Sequence, residues 1–292
     1  MKILLWHVHG SWTNAFVRGG HEYLIPGPPH GIGLSGRDWP AAREVDVSEV
    51  DADLAVLQRP VEVGLVPTGV PVVYLEHNTP RFPNQVHPLK DWPGTIVHVT
   101  HFNDLMWDCG TARTVVIEHG VVDPGLLYTG ELPRAAVVVN DPVRRGRAVG
   151  TDLLPRFAEA APLDVYGMKT HKLGAMGRGD HDLGSLHREL ALRRLYLHPV
   201  RWTSLGLSLI EAMHLGMPVV ALACTEAVRA VPPEAGVVST DVDELVRAVA
   251  ELVADPALAR QKGKQAREFA LARYGLDAFL RSWDRLLTGV SG

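Results

Sequence analysis

Only two cysteines, Cys109 and Cys224, occur in the 292 residues. They have neither metal-ligand spacing nor the density of a disulfide framework, so a reducing cytoplasm is the expected compartment. Long apolar runs are missing as well. No stretch approaches the roughly eighteen residues of a membrane-crossing helix, which excludes a transmembrane helix. Nor is there an excess of positive charge: 29 Lys and Arg stand against 33 Asp and Glu, for a net charge of −4. With no basic face evident, a general nucleic-acid binder is excluded. The chain opens directly on strand-like Lys2-Ile3-Leu4-Leu5-Trp6, without the charged region, long apolar region and cleavage site of a signal peptide. Low-complexity tracts are absent. What remains is 46% apolar and 21% charged, an ordinary globular composition at a length suited to about two domains, each with its own core.

The first half reads as short apolar or β-branched runs separated by Pro/Gly-rich turns: Ile3 to Val8, Leu54 to Leu57, Val70 to Glu76, Thr95 to Thr100 and Thr114 to Glu118. Alternation of such strands with helices or loops predicts a parallel sheet covered by helices. Gly27 to Pro40 reads as a long exposed loop. A second alternation follows, with Ala135 to Val139 and Leu163 to Tyr166 as strands and Gly150 to Ala160 and Leu186 to Arg193 as helices. Further on, Asp241 can cap a helix with Glu244 three residues later. Val242, Leu245, Val246, Val249, Leu252 and Val253 form its apolar stripe, which reads as core.

The most informative stretch runs from Leu195 to Leu222, LYLHPVRWTSLGLSLIEAMHLGMPVVAL. Leu195 to His198 is a buried-type strand ended by Pro199. Gly206 sits where a loop becomes a helix, and Gly216-Met217-Pro218 ends that helix before the strand Val219 to Leu222. This is a βαβ unit. The free N–H groups of its first helical turn, near Ser204, Leu205, Gly206, Leu207 and Ser208, suit a phosphate or diphosphate. Glu211, a turn or so further in, can accept hydrogen bonds from ribose hydroxyls. Its plain alternative is a solvated helix residue in a generic βαβ unit.

Pro199, Gly206-Leu207-Ser208-Leu209-Ile210-Glu211-Ala212-Met213 and Gly216-Met217-Pro218-Val219-Val220-Ala221 resemble the donor-site signature of GT-B glycosyltransferases of the retaining family 4 type. In that family a first Glu stands eight residues before the second and helps hold the donor sugar; here that place is Thr203. The resemblance implies an α/β chain of two Rossmann-like domains whose parallel sheets face an interdomain cleft. Residues 1–124 would form the acceptor domain, 125–275 the nucleotide-sugar donor domain, and 276–292 a helix crossing back to the first. A strand-Gly-Val-Asp element, here Ile117 to Asp123, marks the boundary in the family.

Other site residues follow from the same resemblance. The paired Gly19-Gly20 resembles the first-domain glycine loop that lets backbone approach the diphosphate; its alternative is a plain turn. Arg144, with Arg145 and Arg147 beside it, matches the family's arginine by its spacing from Gly150. Guanidinium groups bind diphosphate oxygens in bidentate fashion. The family's lysine, immediately before that glycine, is Val149 here. Either Arg145 or Arg147 replaces it, or the diphosphate is held by fewer charges. His77 closes the central first-domain strand and resembles the cleft-wall histidine of the family. It can hydrogen-bond the sugar or steady charge developing at the anomeric carbon, which makes it the catalytic candidate. His198, before Pro199, either touches the donor or packs behind the loop. Trp12 and Trp202 either stack on a sugar or fill space. His98 and His101 should face differently, and His7 and His9 should share a face. Neither pair supplies the three or four ligands of a metal centre, and Asp180-His181-Asp182 reads as a solvated loop.

The resulting expectation is a glycosyltransferase of class EC 2.4, a hexosyltransferase that moves a sugar from a nucleotide-diphosphate sugar to an acceptor the sequence does not name. It is expected to be metal-independent and retaining, with no cofactor beyond the donor itself. A nucleotide-sugar-binding module with little or no transferase activity is the alternative, motivated by the replaced Glu and Lys. A nucleotide-sugar epimerase of the same fold is a third reading. Sugar, base and oligomeric state are not legible.

Overall fold

The computed structural model describes residues 1–291 and contains two compact units. The first is Met1–Val122 together with the chain from Tyr274 onward; the second is Asp123–Arg273. Of the expected C-terminal segment, Gly292 lies outside the described residues.

Seven strands build the first unit: β1 (Lys2–Leu5), β2 (Glu22–Pro26), β3 (Ala42–Val45), β4 (Leu54–Leu57), β5 (Val72–Glu76), β6 (Thr95–His98) and β7 (Arg113–Val116). They pair in the order β3-β2-β1-β4-β5-β6-β7, and every pairing is parallel. Side chains alternate across the sheet. Ile3, Leu5, Val56, Val73 and Leu75 face a core completed by Trp12 and Phe16 of α1 (Gly10–Phe16) and by Phe279, Trp283 and Leu287 of the C-terminal helix (Leu276–Ser291). Leu4, Trp6, Ala55, Leu57, Tyr74 and Ile96 face the other side, where Trp107 and Cys109 close the layer just beyond α2 (His101–Met106). Helices are scarce in this unit. The chain crosses from β2 to β3 and from β5 to β6 by turns and loops, so the expected cover of helices is only partial.

Two strands of this sheet, β2 and β3, are absent from the sequence reading, and their presence corrects it. The first strand ends at Leu5 rather than Val8, because α1 begins at Gly10 and returns the chain to the start of β2. Gly19 and Gly20 therefore lie at the amino ends of the strands, where Glu22 donates its N–H to the Met1 carbonyl. That is the end of the sheet opposite His77. A Cβ at Gly19 would meet the Tyr23 hydroxyl at 2.5 Å, so this glycine serves packing. The turn that does follow β1 is His7-Val8-His9-Gly10. His7 and His9 part company there: His7 Nδ1 lies 3.1 Å from the Gly33 carbonyl, while the His9 ring packs on His77. The middle strand is β4, with β5 beside it.

The second unit runs β8 (Leu132–Val138), α3 (Pro142–Arg145), α4 (Leu154–Ala158), β9 (Leu163–Tyr166), β10 (Gly177–Gly179), α5 (Leu183–Leu192), β11 (Arg193–His198), α6 (Leu207–Leu215), β12 (Val219–Leu222), α7 (Ala227–Ala230), β13 (Gly236–Ser239), α8 (Val242–Ala254) and α9 (Pro256–Tyr274). Its sheet has the order β10-β9-β8-β11-β12-β13, again parallel throughout. The stripe on α8 packs as core: Leu245, Val249 and Leu252 are buried against Leu195, Leu197 and Val220. Asp241 caps that helix through the Asp243 N–H, and Glu244 accepts instead from the Ser239 hydroxyl. Asp164, inside β9, is held by Arg134, Arg178 and Arg193. Burial raises its pKa, yet the three guanidinium groups outweigh burial and leave it lowered.

Strand order reverses between β8 and β11, and in parallel sheets ligands gather at the carboxyl ends beside such a reversal. Several contacts tie the two loops there. Gly150, with φ 75°, lies so close to the chain after β11 that a Cβ would meet the Pro199 carbonyl oxygen at 2.0 Å. Arg201 and Trp202 then donate their backbone N–H groups to the Ala148 carbonyl at 2.9 and 3.1 Å. Gly150→Ala combines a left-handed backbone with a backbone clash, so we expect it to destabilise the second unit by about 2 to 4 kcal/mol. Denaturant unfolding followed by circular dichroism measures this, with a lowered midpoint as the expected outcome.

Candidate functional site

At the end of β11 the chain turns at Pro199 and enters α6 with Gly206 as its N-cap. That residue offers no side-chain cap; the Leu209 N–H turns back to the Gly206 carbonyl at 3.0 Å, and the N–H groups of Leu207 and Ser208 are left for an outside acceptor. Gly206 also backs onto His198. A Cβ there would lie 3.2 Å from the imidazole Cε1, and His198 is only 3% exposed. His198 thus packs behind the glycine turn, where burial pushes its pKa down to about 4 and holds it neutral. Tyr196, two residues earlier on the same face, bonds the Ser208 hydroxyl at 2.8 Å and fixes the first turn of the helix from beneath. Ser204 and Leu205 are buried, and Thr203 and Leu207 are half-buried in this turn.

Glu211 sits on α6 five residues after Gly206, a rise of about 7 Å. Helical side chains as a rule lean toward the amino end, here the direction of the N-cap. It is 5% exposed and not a solvated surface residue. His187 of α5 faces it, Nε2 to Oε2, at 3.6 Å.

The arginines divide between two carboxylates. Arg144 Nε donates to Asp141 Oδ2 at 2.8 Å, and Lys169 Nζ reaches the same oxygen at 2.8 Å. Those two cations, Lys169 first, lower the Asp141 pKa to about 2. Arg147 is paired instead with Asp152, which also holds Arg201. Arg145 is exposed as a residue, yet partial desolvation of its guanidinium, and then the Arg144 charge, lower its pKa. Val149 is buried in the core, so the position that carries lysine in the resembled family points inward here. Lys169 went unnoticed in the sequence because the pairing spans 28 residues and its loop carries no helix or strand periodicity.

In the first unit, four strand ends converge. Gln58 follows β4, held by a turn in which Glu62 accepts the N–H groups of Gln58 and Arg59 at 2.7 and 3.0 Å. The Gln58 amide donates to the Trp6 carbonyl at 2.6 Å, which leaves its oxygen as an acceptor facing His77 Nε2 at 2.8 Å. His77 Nε2 must therefore carry the proton, and Nδ1 holds the lone pair. Around it stand His9, with ring centroids 4.0 Å apart, His119 at 6.3 Å and the edge of Trp12 at 5.5 Å. Trp12 stacks on Phe16 and belongs to the core. Burial first, then the His9 and His119 rings, hold the His77 pKa well below the ordinary value of 6.5. His119 is pushed down to about 4 by burial. In the sequence His9 stands only beside His7 as a pair too small for a metal centre, and His119 only within the boundary element, since only the parallel sheet brings the ends of β1, β5 and β7 together.

On the other face of the same sheet, His87 accepts the Leu89 N–H at Nδ1 and donates from Nε2 to Glu76 at 3.2 Å. His98 is buried while His101 is exposed. Asp180, His181 and Asp182 are exposed. Among the described residues no group of three or more His, Cys, Asp or Glu is placed to hold a metal ion. Nor is any helix among them long and apolar enough to cross a membrane.

Residues 170–269 match the family described as glycosyl transferases group 1. Sucrose-phosphate synthase from Thermosynechococcus elongatus superposes with a TM-score of 0.76 at 16% identity, covering 99% of this chain and 98% of that one. The fold is GT-B. A glycosyltransferase from Rickettsia africae gives a TM-score of 0.75 at 14% identity, covering 99% and 98% of the two chains. HepE of Anabaena in complex with UDP gives 0.73 at 15% identity, covering 99% and 100%. No curated protein sequence matches the chain. The GT-B framework and the matched family segment together support a glycosyltransferase.

Two expected outcomes follow from the histidines of this GT-B chain. His98, His119 and His198, each held near 4, and His77, also lowered, bind protons less readily folded than unfolded. Their contribution to stability is present above about pH 6.5 and is lost as pH falls toward 4. Urea midpoints should be level from pH 8 to 7 and decline steadily from pH 6 to 5. Separately, nitrogen-15 spectra of His77 should show the Nε2-protonated tautomer in wild type, and Gln58→Leu should mix the two tautomers. A Gln58→Leu protein with an unchanged His77 spectrum would contradict the hydrogen-bond assignment.

Proposed function

We propose that this protein is a hexosyltransferase that uses a nucleotide-diphosphate sugar as donor. The observation that carries the reading is Glu211: a nearly buried carboxylate on α6, the helix that opens on a glycine N-cap without a side-chain cap, inside the segment that matches glycosyl transferases group 1. Diphosphate at the turn around Ser204 to Leu207 and a ribose on Glu211 satisfy both ends of that helix turn. Complexes of HepE with UDP and with UDP-glucose, on the same fold, favour a uridine nucleotide as the first donor to try. Arg144 is assigned to the diphosphate. His198 supports the turn from behind.

In the reaction, the bond between the anomeric carbon and the β-phosphate oxygen breaks, and its electron pair leaves with the nucleoside diphosphate. The acceptor hydroxyl forms the new bond to that carbon, and its proton passes to the departing diphosphate oxygen. Positive groups near the leaving oxygen lower the barrier because negative charge develops there. His77 is assigned to the transferred sugar. Neutral and protonated at Nε2, it presents an Nδ1 lone pair to a sugar hydroxyl rather than a positive charge. Retention of configuration and independence of metal are carried by the family resemblance.

Calorimetry against UDP tests the donor half. Glu211→Ala should weaken binding by about 1 to 3 kcal/mol, the loss of charged hydrogen bonds to the ribose; unchanged affinity would remove Glu211 from the site. His77→Ala should leave UDP affinity nearly intact and reduce turnover.

A binding module without transferase activity has its own supporting observation: Val149 is buried where the family carries lysine, and Thr203 replaces the first Glu. Consumption of any nucleotide sugar by the purified protein decides against the module. Tight binding without hydrolysis or transfer across a broad panel of donors and acceptors decides for it.

A further inference from the structure

Lys169 belongs to no expected site, yet its surroundings are built with care. The loop after β9 is stitched to the loop after β8 by two hydrogen bonds: the Met168 N–H donates to Asn140 Oδ1, and the Asp141 N–H to the Met168 carbonyl, each at 2.9 Å. Lys169 adopts a left-handed backbone with φ 61° and sends its ammonium to Asp141 Oδ2. Arg144 meets that same oxygen at the same 2.8 Å, so the two cationic nitrogens lie within twice that distance of each other. That spacing suits the oxygens of one phosphoryl group or of two joined ones.

Asp141 is nearly buried, and its second oxygen, Oδ1, is buried without a hydrogen-bond partner. It works as an anchor. It consumes one donor from each cation, leaving two on the ammonium and four on the guanidinium. Lys169 and Arg144 are 54% and 73% exposed, so those donors are open to a ligand. Their chain neighbours Met168 and Val143 are exposed apolar side chains, suited to the carbon skeleton of a nucleotide sugar rather than to a free inorganic anion. The β8 loop that carries Arg144 is the one locked through Gly150 to the chain leading to Gly206.

We propose that Lys169 and Arg144, held by Asp141, form the clamp for the diphosphate of the donor, and that Lys169 supplies the charge missing at Val149. Arg147 belongs to a separate cluster with Asp152 and Arg201 and shares no carboxylate with Arg144. This assignment rests on the nucleotide-sugar reading above. Calorimetry with UDP, UMP and uridine, on wild type and variants, tests it. Lys169→Ala should weaken UDP binding about ten- to a hundredfold and change uridine binding little. Lys169→Arg should restore most of the affinity, and the salt dependence of UDP binding should flatten in the alanine variant. An alanine variant that binds UDP as wild type does overturns the clamp alone. The same holds if UDP and uridine affinities fall equally together with the melting temperature. Wild-type protein that binds no nucleoside diphosphate overturns the reading beneath it, and the clamp with it.

Discussion

The close approach of Gly150 to the Pro199 carbonyl is the contact on which the second unit's site depends. It brings the loop after β8, with its arginines, against the loop after β11, which leads into Gly206. Any side chain at 150 would hold the two apart. The parallel sheet supplies the rest of the geometry, since each strand delivers its following loop to the same end, and the reversal between β8 and β11 opens a space there.

The first unit applies the same constraint to different chemistry. His9, Gln58, His77 and His119 come from the ends of β1, β4, β5 and β7, and none is near another in the chain. Their assembly is a consequence of strand order. The Trp6 carbonyl orients the Gln58 amide, and Gln58 in turn sets the His77 tautomer, so a backbone group decides which nitrogen of a candidate catalytic ring is free. Burial among other imidazoles keeps that ring neutral. Such a histidine is an acceptor for hydroxyl groups, in keeping with a sugar ligand.

Much of this architecture was legible in the chain. The Leu195 to Leu222 segment reads directly as strand, glycine turn, helix and strand, because buried parallel strands are continuous apolar runs and glycine and proline punctuate them. The α8 stripe was equally plain. Failures arose where elements are short or pairings distant. The α1 helix is seven residues long and follows a four-residue strand, so His7 and His9 looked like strand continuation, and Gly19-Gly20 were placed at the wrong end of the sheet. Strand β3 alternates only weakly, with Arg43 and Glu44 both exposed at the sheet's edge. Lys169 lies in a stretch without regular periodicity, and nothing local marks it as a partner of Asp141. The solvated reading of Glu211 fails for the opposite reason: its helix is buried on nearly every side, because α5 packs beside it.

A crystal structure of the protein with UDP tests the central claim most directly. The account expects the diphosphate against the N–H groups that open α6 after Gly206, with the ribose hydroxyls on the Glu211 carboxylate. UDP bound elsewhere, or bound there with Glu211 out of reach of the ribose, would contradict it.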